Sequence, residues 1–515
     1  MSVTIPFLVG VAILILGYSV FSKKLEKSLF PDLDKRQTPA HTNKGVDWSP
    51  ANPLVLFGHH FSSIAGAGPI VGPVLAAALF GYSPVWLWIV AGSVLLGGVH
   101  DWLSLMVSVR NSGKSISDVA SSTISSNAKK FFGWFVFFAL ILVVAAFTML
   151  AAKTLVQSPE LVIPTFGFII AAIMFGFMRR KMGLLISTVI ALAIAAIFIW
   201  LGFKFPIKLP LKFNAILVWE LLLLIYAVIA SLLPVELLLQ PRDYLSSYLL
   251  FAGLILGTLG ILFSHNIKIS LPSFTHSPKM PIFPFLFIVV ACGAISGFHS
   301  LVSSGTTSKQ LSKESHARPV AYGGMLTEGL LALIALSAVS VVGSKLTNNP
   351  LFNFSNGFSI LTQALGIPAK LSFVAATFMI NAFILTTLDT SVRIGRMIFT
   401  ELTGASPTIS TLILTVAALT FLQLGALKAI WPVFGACNQL IAALTLIVLY
   451  AYLKKHGSKF ATYLGVAALF MLLVTITGLV MKISTAQKLL TAFIVILLAM
   501  VRAMIYELVK KVLTI

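Results

Sequence analysis

The sequence predicts an all-α polytopic membrane protein built around two broken helices, and three observations carry that prediction. Hydrophobic residues make up 58% of the 515 residues and charged residues only 10%, too little charge for a soluble chain of this size. Apolar runs long enough to cross a bilayer recur along the whole sequence. Two of them are interrupted by glycine, histidine and serine, in FGHHFSSIAGAGPIVGP (57–73) and CGAISGFHSLVSSGTTS (292–308). Glycine destabilises a helix interior and an imidazole in hydrocarbon is costlier still, so interruptions of this kind point to a polar site.

Apolar runs of about 18 to 28 residues place fifteen spans near 4–21, 53–80, 84–109, 131–153, 162–178, 184–203, 214–236, 244–263, 282–306, 321–344, 370–389, 407–425, 428–452, 460–480 and 488–509. The net charge of +21 follows the loops. With the N-terminus outside and the C-terminus inside, inner loops hold roughly 24 Lys and Arg against roughly 11 outside. Eight of the nine arginines fall in inner loops. The cationic surplus is therefore a topology signal rather than a nucleic-acid footprint. The run Met1–Phe21, followed by Lys23, Lys24 and Lys27, reads as a retained signal anchor.

In this orientation the span with His60 runs outward and the span with His299 runs inward, the arrangement of an inverted-topology repeat. The expected division is an anchor and cytoplasmic lead-in (1–50), a first repeat (51–203), intervening helices (204–281), a second repeat (282–452) and peripheral helices (453–515).

The two interruptions align Gly58, His60, Ser63 and Gly66 with Gly297, His299, Ser303 and Gly305. Candidate substrate-binding residues are His60, Ser62, Ser63, Gly66 and Gly68 in the first. In the second they are Gly297, His299, Ser300, Ser303, Ser304, Gly305 and Thr306. Hydroxyls and freed amides at a half-helix N-terminus suit a carboxylate, and an imidazole titrating near neutrality suits a coupling proton. Small residues there also suit close helix packing. Acidic residues in or near spans are candidates for coupling or gating, because an unpaired carboxylate in lipid is strongly unfavourable. Asp101, Glu328 and Asp389 are the foremost. Asp389 has the alternative of an i,i+4 ion pair with Arg393, and Glu236 reads as a helix-end residue near Arg242. Asn381, Asn438 and Gln439 either bridge helices or line a path.

The two cysteines, Cys292 and Cys437, both fall in spans and support no disulfide framework or thiolate metal site. His59, His60, His100 and Asp101 have ligand chemistry for zinc but no recognised spacing. No metal, cofactor or catalytic residue is therefore expected. The absence of GxxxxGK[ST], HExxH and GxSxG argues against an ATP-driven pump, a metalloprotease or a lipase.

The segments DWSPANPLVLFGHHFSSIAGAGPIVGP, GGVHDWLSLMVSVRNSGKS, ISGFHSLVSSGTTSKQL, ARPVAYGGMLTEG, TTLDTSVRIGR and WPVFGACNQLIAA occur in order from about residue 45 to 445. Together they resemble the carbon starvation protein A (CstA) family of bacterial inner-membrane transporters. That resemblance implies a LeuT-like inverted-repeat fold of the amino acid–polyamine–organocation group, and uptake of peptides or pyruvate driven by protons. It supports 58–69 and 297–307 as substrate-site elements and Asp101, Glu328 and Asp389 as family positions, without assigning their roles. The chain looks shorter than many members at its C-terminal end and outer loops.

The resulting expectation is a secondary-active importer of a small carboxylate, pyruvate or short peptides, by alternating access. Its partners are the substrate, protons or else sodium, and membrane lipid; nucleic acid is not one. The hydroxyls of Ser62, Ser63, Ser303 and Ser304 would take the carboxylate, His60 or His299 would orient it or carry the proton, and Glu328 or Asp101 would be the proton-sensitive partner. The rivals are a nutrient sensor with a transporter-like core, a channel, and an intramembrane His/Asp metal enzyme. A sensor usually appends a soluble output domain, and a channel needs a continuous polar path.

Overall fold

In lipid every backbone N–H and C=O must be satisfied within the segment, so apolar runs of this length fold as helices. The computed structural model describes residues 2–210, 214–277, 280–423, 427–483 and 488–513. Among the described residues the one β contact is a bridge between Ser2 and Lys268, and twelve helices are long and apolar enough to cross a membrane.

The lead helix α1 covers Thr4–Leu29. The first broken segment is α2 (Pro53–Ile64) and α3 (Gly68–Phe80), followed by α4 (Tyr82–Arg110), the short α5 (Ile116–Thr123) and the long α6 (Ser126–Gln157). Next come α7 (Val162–Met182), α8 (Leu184–Lys204), α9 (Ala215–Leu232) and α10 (Leu239–Phe263). The second broken segment is α11 (Ile282–Val289) and α12 (Gly297–Gly305), then α13 (Gly323–Val342), α14 (Pro350–Thr362) and α15 (Ala369–Thr403). The chain closes with α16 (Pro407–Gln423), α17 (Leu427–Lys455), α18 (Ala461–Ile483) and α19 (Lys488–Leu513). These elements follow the fifteen expected spans, with α5 and α14 added where no helix was expected. The side chains of Trp431 and Pro432 of the WPVFGACNQLIAA segment, and that of Arg180, lie outside what is described.

Both interruptions are true breaks. Ala65 has φ −78° and ψ 66°, and Gly66 N–H donates to the Ile64 carbonyl at 2.8 Å, an inverse γ-turn. Pro69 then restarts the helix at its first turn, where a missing N–H is harmless. The two halves bend by 41°. The second break opens on Val290 with φ −90° and ψ 68°, passes through a turn in which Ala294 and Ile295 N–H both donate to the Ala291 carbonyl, and is extended at Ser296 before α12 starts.

The breaks also change the residue correspondence. Geometry equates Ala65 with Val290, so the aligned offsets Gly58/Gly297 and His60/His299 do not mark equivalent positions. His60 precedes its break, on α2, whereas His299 follows its break, on α12. Because the two segments run in opposite directions, both histidines fall on the same side of the breaks, where α2 and α12 pack together.

Packing sorts the remaining helices. Helix α10 packs on α2, α13, α14 and α15, and α17 packs on α12, α4, α5 and α6. Helices α9 and α16 each touch α6, α15 and one another. By contrast α7 and α8 pack chiefly on each other, with α7 also against α10. Segment 204–281 thus supplies two helices to the core, and the α7–α8 hairpin stands at its flank.

At the end of the bundle that carries the lead-in, Asp47 accepts hydrogen bonds from Arg396 at 2.7 and 2.9 Å and also from Arg393. Arg110 forks onto Glu314 at 3.1 and 3.0 Å and reaches Asp32 at 2.8 Å. Burial pushes the Asp47 carboxyl up, but Arg393, Arg396 and Lys309 outweigh it and hold it below the usual carboxylate range. A folded-state pKa below the unfolded value of about 3.9 stabilises the fold above that pH, and the contribution fades as pH falls through the lowered value. Asp47→Asn is expected to destabilise the protein by about 1.5–3 kcal/mol. The deficit, read as thermal melting in detergent, should be constant from neutrality down to about pH 5. A deficit that shrinks between neutrality and that point would show that the latch titrates elsewhere.

Close approach fixes the second break. A Cβ on Gly297 would lie 2.2 Å from the Asn438 carbonyl oxygen and 2.4 Å from Ile441 Cβ. Gly297→Ala would gain about 1 kcal/mol of helix propensity but lose about 1–3 kcal/mol to overpacking against backbone that cannot retreat. The expected result is a lower melting temperature; an unchanged or higher one would mean that α12 and α17 are not in this contact.

Candidate coupling and substrate site

Three polar networks lie in the interior beside the breaks. The first joins α4, α12 and α13. Asp101 is fully buried and accepts from two imidazoles, His100 Nδ1 on Oδ1 at 2.7 Å and His299 Nδ1 on Oδ2 at 2.8 Å. On the far side of the same ring, His299 Nε2 lies 3.1 Å from Glu328 Oε2. The contact is an ion-pair separation with poor hydrogen-bond alignment. Both Glu328 oxygens and His299 Nε2 therefore remain without a hydrogen-bond partner, as do His60 Nε2, His100 Nε2 and Ser303 Oγ.

The second network links α2, α10 and α15. His59 Nδ1 meets Asp243 Oδ2 at 2.7 Å, and Ser63 Oγ donates to the same oxygen at 3.1 Å while accepting from Thr390. Ser62 donates to the Asp243 carbonyl, and Thr386 donates to the Ser62 carbonyl. Gln310 reaches His59 Nε2 at 3.0 Å and accepts from Gln240, which in turn accepts from Arg179. The third network is an ion pair between Arg242 and Asp389, with Tyr226 Oη donating to Asp389 Oδ2 at 2.7 Å.

Several expected roles change in this geometry. Asp389 pairs with Arg242 on α10 and not with Arg393, whose guanidinium is taken by Asp47. Glu236 accepts from Ser49 rather than serving Arg242. Asn381 bridges α15 to α7 through Thr165 Oγ1 at 2.8 Å. Asn438 caps α12, its Oδ1 accepting from Phe298 N–H at 2.8 Å and from Ser296 Oγ at 3.2 Å. The half-helix N-terminus thus already holds a neutral amide oxygen.

The hydroxyls are mostly engaged. Ser300 bonds Gly297 O and Thr445, and Ser304 bonds Ser300 O and receives Ile116 N–H from α5. Thr306 turns back onto Val302 O, and Thr307 meets His60 Nδ1 at 2.8 Å. Ser303 alone among the candidate serines keeps a free hydroxyl. Gly66 packs where a Cβ would meet Thr387 and Phe147, and Gly305 faces Ile394 and Met397.

On the other side of the breaks, a cavity of about 340 Å³ reaches both of them. Gly68, Ala291 and Cys292 lie at the breaks, Phe285 and Phe434 line its wall, and Lys482 contributes a cation. The residues that sequence patterns missed are Arg242, Asp243 and Gln310. The run QPRDY looks like a loop because of its proline, yet Pro241 sits in the first turn of α10, where a missing N–H is tolerated.

Two breaks, a packing scheme exchanged between two sets of helices, and a buried ionisable chain beside them define a LeuT-like transporter of the inverted-repeat class. Solved structures agree on the fold. The manganese transporter of Eremococcus coleocola covers 94% of this chain and 98% of its own, with TM-score 0.56 and 12% identity. MhsT, solved with L-phenylalanine, covers 88% and 99%, with TM-score 0.53 and 15% identity. The chain belongs to the carbon starvation protein CstA family, whose model matches residues 2–351 and 342–478. It is similar to the peptide transporter CstA of Campylobacter jejuni, 32% identical over 93% of this chain and 80% of that protein. It is also similar to the pyruvate/proton symporter BtsT of Escherichia coli, 30% identical over 94% and 82%.

Arg242 and Asp389 are both buried, and removing one member of such a pair leaves an uncompensated charge. Asp389→Asn should cost about 3–5 kcal/mol, read as poor yield of monodisperse protein, and adding Arg242→Gln should restore part of it. Equal losses in the single and double variants would contradict the pairing.

Proposed function

We propose that this protein is a secondary-active importer of a small carboxylate, pyruvate or a short peptide, across the bacterial inner membrane, driven by proton symport. The observation that carries this reading is His299, a buried imidazole between two carboxylates, directly below a helix break that a cavity reaches from the opposite side. The names of the CstA-family relatives supply the substrate classes, and the excess of inner-loop arginine supports an N-terminus outside and a C-terminus inside.

The repeats in this reading are α2–α3, α4, α6, α9 and α10, against α11–α12, α13, α15, α16 and α17. Short helices α5 and α14 occupy matching places in the two sets, and α7–α8 are an insertion. The substrate enters the cavity, where Lys482 provides the only formal charge among its described lining residues, and its carboxylate settles against the breaks. The coupling proton resides on the Asp101–His299–Glu328 chain, where a cation between the His299 Nε2 lone pair and Glu328 removes a lone-pair repulsion. Ser62, Ser63 and Ser304 hold the helices in register through their present bonds, while Ser303 and His60 remain available to a polar substrate group. Opening to the inside separates α2 and α12 from α4 and α13 and hydrates the chain.

The test is uptake of labelled pyruvate and of a labelled dipeptide into proteoliposomes under imposed proton or sodium gradients. Wild-type protein should accumulate one of them with the proton gradient. Glu328→Gln should lose gradient-driven accumulation while keeping exchange of substrate between the two sides. Full accumulation in Glu328→Gln would remove that residue from coupling, and accumulation only with sodium would replace the proton.

A further inference from the structure

The coupling chain has a third neighbour that transport does not explain. Cys292, His299 and Glu328 each present one ligand atom, a thiol sulfur, an imidazole nitrogen and a carboxylate oxygen, and the three atoms lie within 4.8 Å of one another. All three residues are buried. His299 Nε2 and both Glu328 oxygens lack a hydrogen-bond partner, and an unsatisfied carboxylate in a protein interior is among the least favourable arrangements available. His299 donates through Nδ1 to Asp101, which fixes the tautomer and aims the Nε2 lone pair at the other two groups. A carboxylate–histidine arrangement of this kind is how proteins orient an imidazole toward a metal. Asn438 Nδ2 donates to Cys292 Sγ at 3.7 Å, and the thiol in turn reaches Ser296 Oγ at 3.6 Å.

We propose that Cys292, His299 and Glu328 form a binding site for a divalent transition-metal ion of the zinc class, with the fourth position open toward the cavity. The donor set selects the metal: thiolate, imidazole and carboxylate suit zinc or cobalt, whereas magnesium and calcium require oxygen alone. Three protein ligands leave one tetrahedral position, and Cys292 is itself part of the cavity wall, so the ion has a route in. The position depends on Gly68, where a Cβ would lie 2.4 Å from the Cys292 sulfur. Metal there ties the second break to α13 and occupies the place of the coupling cation, so binding arrests transport. These ligands differ from the His59, His60, His100 and Asp101 set suggested by sequence. There His59 is committed to Asp243 and Gln310, and His60 Nδ1 to Thr307.

The site stands on geometry alone and is tested by binding, separately from the identity of the transported solute. Purified full-length protein in detergent is titrated with cobalt(II), whose thiolate complexes absorb by sulfur-to-metal charge transfer in the near ultraviolet. The chain has two cysteines, so the band comes from Cys292 or Cys437. One cobalt per chain with a charge-transfer band is expected in wild type and in Cys437→Ser. The band is lost in Cys292→Ser, and affinity falls about 10–100-fold in Asp101→Asn, the positioning residue. Zinc added to proteoliposomes should block uptake and a chelator should restore it. Absence of the band from wild type, its loss in Cys437→Ser, or its survival in Cys292→Ser would overturn the proposal. Because Cys437→Ser leaves the three ligands intact, a folding failure of the Cys292 variant does not remove the test.

Discussion

Asp101 is the point on which the interior depends. A carboxylate with no access to water must have its charge compensated by donors, and this one receives an N–H from each of two imidazoles. One imidazole is its chain neighbour and the other arrives from the second broken segment. The shared carboxylate therefore ties α4 to α12 at a depth where water cannot substitute for either donor. Everything placed around it, the cap by Asn438 and the free edge of Glu328, follows from where α12 must start to bring His299 within reach.

The fold was legible because hydrocarbon imposes a simple rule. Apolar runs must become helices, and basic residues gather on one side, so the spans and the two breaks could be read from residue type alone. Function was only partly legible. Glycine beside Ala65 and the turn between Val290 and Ser296 mark where helices stop, but the alignment of His60 with His299 compared residues on opposite flanks of their breaks. Short-range matching carries no information about which half-helix a residue joins. The exclusion of α14 had a similar cause: PLFNFSNGFSILT is too polar and short to be read as a span.

Tertiary pairing was the least legible layer. Asp389 has Arg393 one helical turn away, and local spacing favours that partner, yet Arg393 is drawn to Asp47 in the lead-in and Arg242 fills the vacancy from α10. Ion pairs in a membrane interior are chosen by which helices meet, and that meeting is set by apolar packing over the whole bundle. The serines repeat the lesson. Ser62 and Ser63 carry the chemistry to bind an anion, but the approach of α10 and α15 commits them to holding helices together.

The α7–α8 hairpin has a consequence for how the molecule is made. A ribosome delivers α7 and α8 to the bilayer after α6 and before α9 and α10, which must return to complete the core around α6 and α2. A hairpin that packs mainly on itself can settle in lipid without waiting for later helices, and it does not occupy the faces that α9 and α10 need. The interruption in the order of synthesis is thereby absorbed at the periphery, and the core helices can assemble in an order different from that in which they are born.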